Sequence, residues 1–154
     1  MRYVIERFED FTSAVSLASK YILKIKSYYM REFGLKAAHV TCLHLLGRNE
    51  CGLTATQICQ LCHEDKAAVS KTLNALCAKG YVIGVVGGAR KYKAIYTLSA
   101  SGREISRRLD KFIAQTVKSC GKGLTEKERA VFYKSFRTIV SNLESLSEKL
   151  EGAK

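Results

Sequence analysis

The stretch ICQLCHEDKAAVSKTL, residues 58–73, admits three readings that imply three different proteins. Cys59-x-x-Cys62-His63 has the spacing of a c-type haem attachment site. The same cysteines with His63 could hold zinc. Alternatively the stretch is the turn and second helix of a helix-turn-helix, with the cysteines as small apolar fillers. Helical periodicity favours the third. Ala55, Ile58, Cys59 and Cys62 fall at i, i+3, i+4 and i+7, a single apolar stripe. Val69, Leu73, Leu76 and Cys77 answer at i, i+4, i+7 and i+8. Covalent haem would require export and room for a porphyrin beside this stripe. Zinc has ligand types in Cys59, Cys62, His63 and Glu64, with Cys42 and His44 one helix earlier, but the two cysteines would have to leave the buried face. No second C-x-x-C or H-x-x-x-H completes a four-ligand set. The stretch therefore predicts core cysteines, with no metal and no cofactor.

Working outward, Leu53 leads into Thr54-x-x-Gln57, a capping box that opens the first short helix. Upstream, KAAHVTCLHLLGRN places Val40, Leu43 and Leu46 on one helix face. Downstream, Gly80 stops the second helix, and YVIGVV, a Gly87-Gly88 turn and YKAIYTL read as a β-hairpin. Residues 36–98 thus form a compact middle of three helices and a hairpin. Flanking it are long amphipathic stripes. Val4, Phe8, Phe11, Val15, Ala18, Ile22, Ile25 and Tyr29 mark the first, closed at Gly34. Ile105, Leu109, Phe112, Ile113 and Val117 mark another, capped by Ser99 or Ser101 and closed by CGKG at 120–123. Thr125-x-x-Glu128 caps the last, with Leu124 as its staple and Phe132, Phe136, Ile139, Leu143, Leu146 and Leu150 along its face.

A small middle domain cannot cover so much apolar helix surface. The pattern predicts a mainly α fold with a small hairpin: residues 1–35 and 99–154 as dimerisation helices around a DNA-binding domain at 36–98. A second copy of the chain would then cover the stripes.

The 154 residues carry a formal net charge of +12, which calls for an anionic partner, nucleic acid before membrane surface. No apolar run is long enough to span a bilayer, and MRYVIERFEDF is unlike a secretory signal, so a cytoplasmic protein with reduced thiols is expected. Between Lys66 and Lys93 every charged residue is positive: Lys66, Lys71, Lys79, Arg90, Lys91 and Lys93. Opposite the core stripe, Lys66, Ala67, Ala68, Ser70, Lys71 and Asn74 make a face that suits double-stranded DNA. Small residues let the backbone approach a duplex, and Ser70, Asn74 and Lys71 reach base edges or phosphates. An ordinary solvated face is the bland alternative; the one-signed charge argues against it. Glu64 and Asp65, just upstream, are placed to cap the helix start.

LTATQICQLCHEDKAAVSKTLNALCAKGYV, followed by a hairpin and YTLSASGREI, resembles the winged helix-turn-helix of the MarR family of bacterial transcription regulators. The resemblance extends over nearly the whole chain. It implies a homodimer joined through the terminal helices, a recognition helix in the major groove and a wing in the minor groove of a pseudo-palindromic operator. It also implies a repressor, released by a small ligand or by cysteine oxidation. By position, Lys66, Ala68, Ser70 and Lys71 would face the major groove, and Arg90, Lys91 and Lys93 would supply the wing. Two departures stand out. Arg90 and Tyr92 occupy the places of the family's D-x-R, and His63 and Glu64 replace a usual glycine and apolar residue in the turn. In similar proteins effectors bind between the dimer helices and the DNA-binding lobe, where Tyr28, Tyr29, His39 and Arg103 are the candidates. For a redox switch the candidates are Cys51 and Cys120, in RNECGL and KSCGKG. A metal- or redox-responsive regulator and a winged-helix module that binds protein remain as alternatives. No nucleophile–base pattern, Gly-rich phosphate loop or paired carboxylates suggest an enzyme.

Overall fold

The computed structural model describes residues 1–86 and 94–152. Helix α1 (Arg2–Met30) runs into a 3₁₀ turn (Arg31–Phe33), followed by α2 (His39–Arg48), strand β1 (Leu53–Thr54), α3 (Ala55–Cys62) and α4 (Lys66–Ala78). Strands β2 (Val82–Val86) and β3 (Ala94–Leu98) precede α5 (Ala100–Cys120) and α6 (Glu126–Gly152). Packing divides the described chain into two compact units, Met1–Lys111 and Phe112–Lys154, with the boundary inside α5.

In the first unit the expected punctuation forms. Gly34 adopts φ +62° and closes the 3₁₀ turn, a left-handed conformation that a Cβ would strain. The Thr54 capping box is complete: the Gln57 N–H donates to Thr54 Oγ1 at 3.2 Å, and the Thr54 N–H donates to Gln57 Oε1 at 2.8 Å. Ser99, not Ser101, caps α5, its Oγ accepting the Gly102 N–H at 3.0 Å.

β2 and β3 pair antiparallel from Val82↔Leu98 to Val86↔Ala94. A third strand joins them, giving the order β1-β3-β2 with Leu53 opposite Tyr96. In the sequence, Leu53 and Thr54 mark only the approach to a helix cap. What turns them into the sheet is Gly52, at φ +80°, where a Cβ would lie 2.7 Å from the Tyr96 carbonyl oxygen.

The core of this unit is where the periodicity placed it. Leu43 from α2, Ile58 from α3, Leu73 and Leu76 from α4 and Leu109 from α5 are fully buried, each contributing roughly 1.5–3 kcal/mol relative to exposure. Val82, Leu98 and Ile105 are buried with them.

In the second unit Thr125 and Glu128 form their capping box: the Glu128 N–H donates to Thr125 Oγ1 at 3.3 Å, and the Thr125 N–H donates to Glu128 Oε2 at 2.7 Å. The Thr125 N–H and the Thr125 hydroxyl, which both donate to that carboxylate, hold it below its usual pKa. The expected staple is absent. Leu124 stays exposed, and the helix position it would pack against is Arg129. Along α6, Phe132 and Phe136 stack with ring centroids 5.6 Å apart, while Ile139, Leu143, Leu146 and Leu150 are exposed.

Candidate nucleic-acid interface

The turn between α3 and α4 is built by two polar residues. His63 takes φ +53°, the only non-glycine positive φ among the described residues, and its N–H donates to the Cys59 carbonyl. The glycine usual in the resembling family would adopt this conformation without strain. Two residues on, Asp65 caps α4, its Oδ1 accepting the Ala68 N–H at 2.8 Å.

Val69, Leu73 and Leu76 bury one face of α4, and this leaves Lys66, Ala67, Ser70, Lys71 and Asn74 exposed on the other. Ala68 departs from the expectation. It is half-buried because it precedes Val69 and lies one turn before Thr72, so its methyl faces a cavity instead of solvent. The wing residues Arg90, Lys91 and Lys93, with Tyr92 and the Gly87-Gly88 turn, lie outside the described residues. The root of the hairpin is anchored. Ser99 Oγ donates to the Gly80 carbonyl at 2.6 Å, and the Tyr81 hydroxyl donates to the Phe33 carbonyl at 3.4 Å. Gly102 sits so close to the Tyr81 carbonyl that a Cβ there would overlap it.

Among the described residues, Tyr28 and Tyr29 share a recess that Arg103 and His39 do not line. Tyr28 and Tyr29, in edge-to-face contact at 5.6 Å, border a recess with Arg31, Glu32 and Arg108. Within it Arg108 donates to Glu32 Oε1 at 2.8 Å, and its guanidinium stacks over Phe33. Arg103 lines a different recess beside Gly47 and Glu50, and its Nη1 donates to the Leu98 carbonyl at 2.8 Å. His39 is buried, and its Nδ1 accepts the Lys36 N–H at 2.8 Å. Burial lowers the His39 pKa, and the nearby Lys36 and Lys79 charges add to the effect. Periodicity placed His39 on a helix but could not show that its ring is spent on the N–H of Lys36 in the turn before that helix.

Among the cysteines, Cys51 and Cys120 are exposed as expected, although Cys120 ends α5 and is not in a loop. Cys59 and Cys62 are half-buried, not core. An eight-residue helix seats only its central Ile58 fully, and the flanking cysteines lie at the edge of that seat. The buried thiol is Cys42, where burial pushes the pKa up to about 12, with Cys62 and Cys77 adding to it. Its i, i+4 spacing to the core residue Leu46 carried that signal in the sequence. Among the described residues no three His, Cys, Asp or Glu side chains converge as a metal site, and no helix is long and apolar enough to cross a membrane.

A sequence model described as the MarR family matches residues 33–91. No curated protein matches the chain. Solved structures do. A MarR protein from Peptoclostridium difficile superposes with a TM-score of 0.83 at 20% identity, over 92% of each chain. The S. aureus MepR–DNA complex gives 0.80 at 16% identity, over 86% of this chain and 97% of that one. Streptococcus pneumoniae FabT in complex with DNA gives 0.75 at 21% identity, over 90% and 99%. Residues 33–91 therefore match the MarR family's sequence, and the chain shares the winged-helix fold of these structures over most of its length.

Proposed function

We propose that the protein is a dimeric, sequence-specific DNA-binding transcriptional regulator. The carrying observation is the outer face of α4. Lys66, Ala67, Ser70, Lys71 and Asn74 are exposed together, with no acidic residue among them, on a helix whose opposite face is locked into the core. Such a face lets the backbone approach a duplex while hydroxyl, amide and ammonium groups reach base edges and phosphates. The net charge of +12 supplies the attraction to phosphate. Two structures of the same fold, from S. aureus and S. pneumoniae, hold DNA, which supports the reading. In it, residues 36–98 bind DNA, with Arg90, Lys91 and Lys93 of the wing at the minor groove. Residues 1–35 and 99–154 join two copies on a pseudo-palindromic operator. The regulator acts as a repressor released by a small ligand, in the cytoplasm of a bacterium.

The test is duplex binding across a salt series, with a site selected from a random library compared against random duplex. Affinity should fall steeply and linearly on logarithmic axes. Lys71→Ala should cost about 1–3 kcal/mol on the selected site and much less on random duplex. Arg90→Ala with Lys91→Ala should weaken both and flatten the salt dependence. No duplex binding even at low salt would leave a winged-helix module that binds protein.

A further inference from the structure

Among the described residues, His63 alone holds a left-handed backbone without being glycine, at φ +53° between α3 and α4. An L side chain in that region brings its Cβ against the following carbonyl oxygen, and glycine would relieve the crowding. The turn does not need the ring. The His63 backbone N–H donates to the Cys59 carbonyl, a bond that glycine would make equally well. The side chain is exposed and makes no hydrogen bond or ion pair among the described residues. Its two neighbours are placed differently. Asp65 caps α4, its Oδ1 accepting the Ala68 N–H at 2.8 Å. Glu64 borders the recess beneath the turn, which Lys26 of α1 also lines. His63 stands clear of both arrangements, just ahead of Lys66, the first residue of α4. A strained backbone kept at an exposed, unpartnered polar side chain points to a task for that side chain.

We propose that His63, in its protonated form, contacts a DNA phosphate at the lip of the major groove and makes duplex binding tighter as pH falls. This role deepens the regulator reading and rests on it. In a helix-turn-helix the N-terminal residues of the second helix meet base edges, while the first helix crosses the sugar–phosphate backbone. A residue that ends α3 just ahead of Lys66 lies where the phosphates run. Histidine gains its charge between pH 8 and pH 6, and a phosphodiester beside it favours the charged form. The surrounding charges sharpen the dependence. They are Glu64, Asp65 and Lys66 on the same segment and Lys26 of α1, which lines the recess beneath. From α2, Thr41 and Cys42 line that recess, and neither is charged over this range. With the ring neutral, the turn presents Glu64 and Asp65 to the backbone unopposed; protonation of His63 offsets one of them. Phosphate contacts position a protein and carry no base preference. His63 therefore sets how tightly a duplex of any sequence is held.

The test compares the full native chain with His63→Asn, which tolerates the left-handed backbone and cannot become charged. Duplex affinity is measured at pH 8 and at pH 6 across a salt series, on the selected site and on random duplex. The native chain should bind roughly threefold tighter per contact at pH 6. Its salt dependence should steepen by about one unit per contact. His63→Asn should lose both changes, by the same factor on the two duplexes, and bind like the native chain at pH 8. His39 and His44 are present in both chains, so their titration cancels in the comparison. His63→Gly should repeat the loss at pH 6 while melting no lower than the native chain. A pH response that survives His63→Asn overturns the proposal. So does a loss confined to the selected site, which assigns the ring to a base edge. Both variants melting well below the native chain overturn it too, because the ring then holds the turn. If the native chain binds no duplex at either pH, the regulator reading falls and takes this role with it. Duplex binding that is indifferent to pH removes the role of His63 alone.

Discussion

The same apolar rhythm runs through the helix-turn-helix and through the two terminal helices, yet the two regions end differently. In α2, α3 and α4 the periodic positions close on one another, and Leu43, Ile58, Leu73 and Leu76 are almost wholly inaccessible. In α1 and α6 the corresponding positions stay open: Phe8 is 61% exposed, Ile22 52%, Leu143 46% and Leu146 53%. Periodicity announces a face that must be covered, and the surrounding length of chain decides whether the chain can cover it. Rows of exposed large apolar residues of this extent mark an interface in soluble proteins. The contrast is what supports the second copy in the regulator reading.

The largest effect expected from that contrast comes from removing residues 126–154. If α6 helps cover a partner, the shortened chain sediments as monomer or aggregates, while the full chain is a dimer at micromolar concentration. A full-length monomer at that concentration would break the comparison at once. A finer cut uses one leucine from each region. Leu43→Ala should lower unfolding free energy by about 2–5 kcal/mol, because a fully buried side chain leaves a cavity. Leu143→Ala should act mainly through association, lowering the melting temperature more at low protein concentration than at high. Equal and concentration-independent losses would mean that Leu143 is covered within its own chain.

What was legible in the sequence follows the same division. Caps and glycines are local, so the boxes at Thr54 and Thr125 and the stops at Gly34 and Gly80 form where spacing put them. The three-helix core was legible because each helix repeats its apolar positions more than once. Burial at helix edges was not. Cys59 and Cys62 share a stripe with Ile58, but a short helix has too little contact surface to seal all of them. Ala68 was read outward from its neighbours, although a methyl gives no polarity signal to separate a cavity wall from a DNA-facing surface. The strand at Leu53 was missed because two residues carry no alternation, and its cause lies in Gly52 meeting β3. The effector candidates rest on chemical type, which carries no signal of which recess a side chain lines: Tyr28 and Tyr29 line one and Arg103 another.

The smallest expected effect comes from His39 and refines what buried means in the well-covered region. The ring is buried at the start of α2 and accepts the Lys36 N–H, so only its neutral form, with a lone pair on Nδ1, fits. Its folded pKa is lowered, first by burial. The unfolded chain, with an ordinary histidine, therefore binds the proton more readily as pH falls through about 6.5. By linkage, His39 costs no stability above that pH. The loss grows as pH drops below it and levels off once the folded ring is protonated too. Melting temperatures from pH 7.5 down to 5 should show this decline. His39→Gln, whose side-chain carbonyl can still accept the Lys36 N–H, should remove its share without unfolding the protein. His44 is the necessary control: half-buried on the same helix, it lies 3.1 Å from Asp110 Oδ1. The decline should persist in His44→Gln. A profile unchanged by His39→Gln would mean that the ring titrates as freely folded as unfolded, and that the start of α2 is open to water like the faces of α1 and α6.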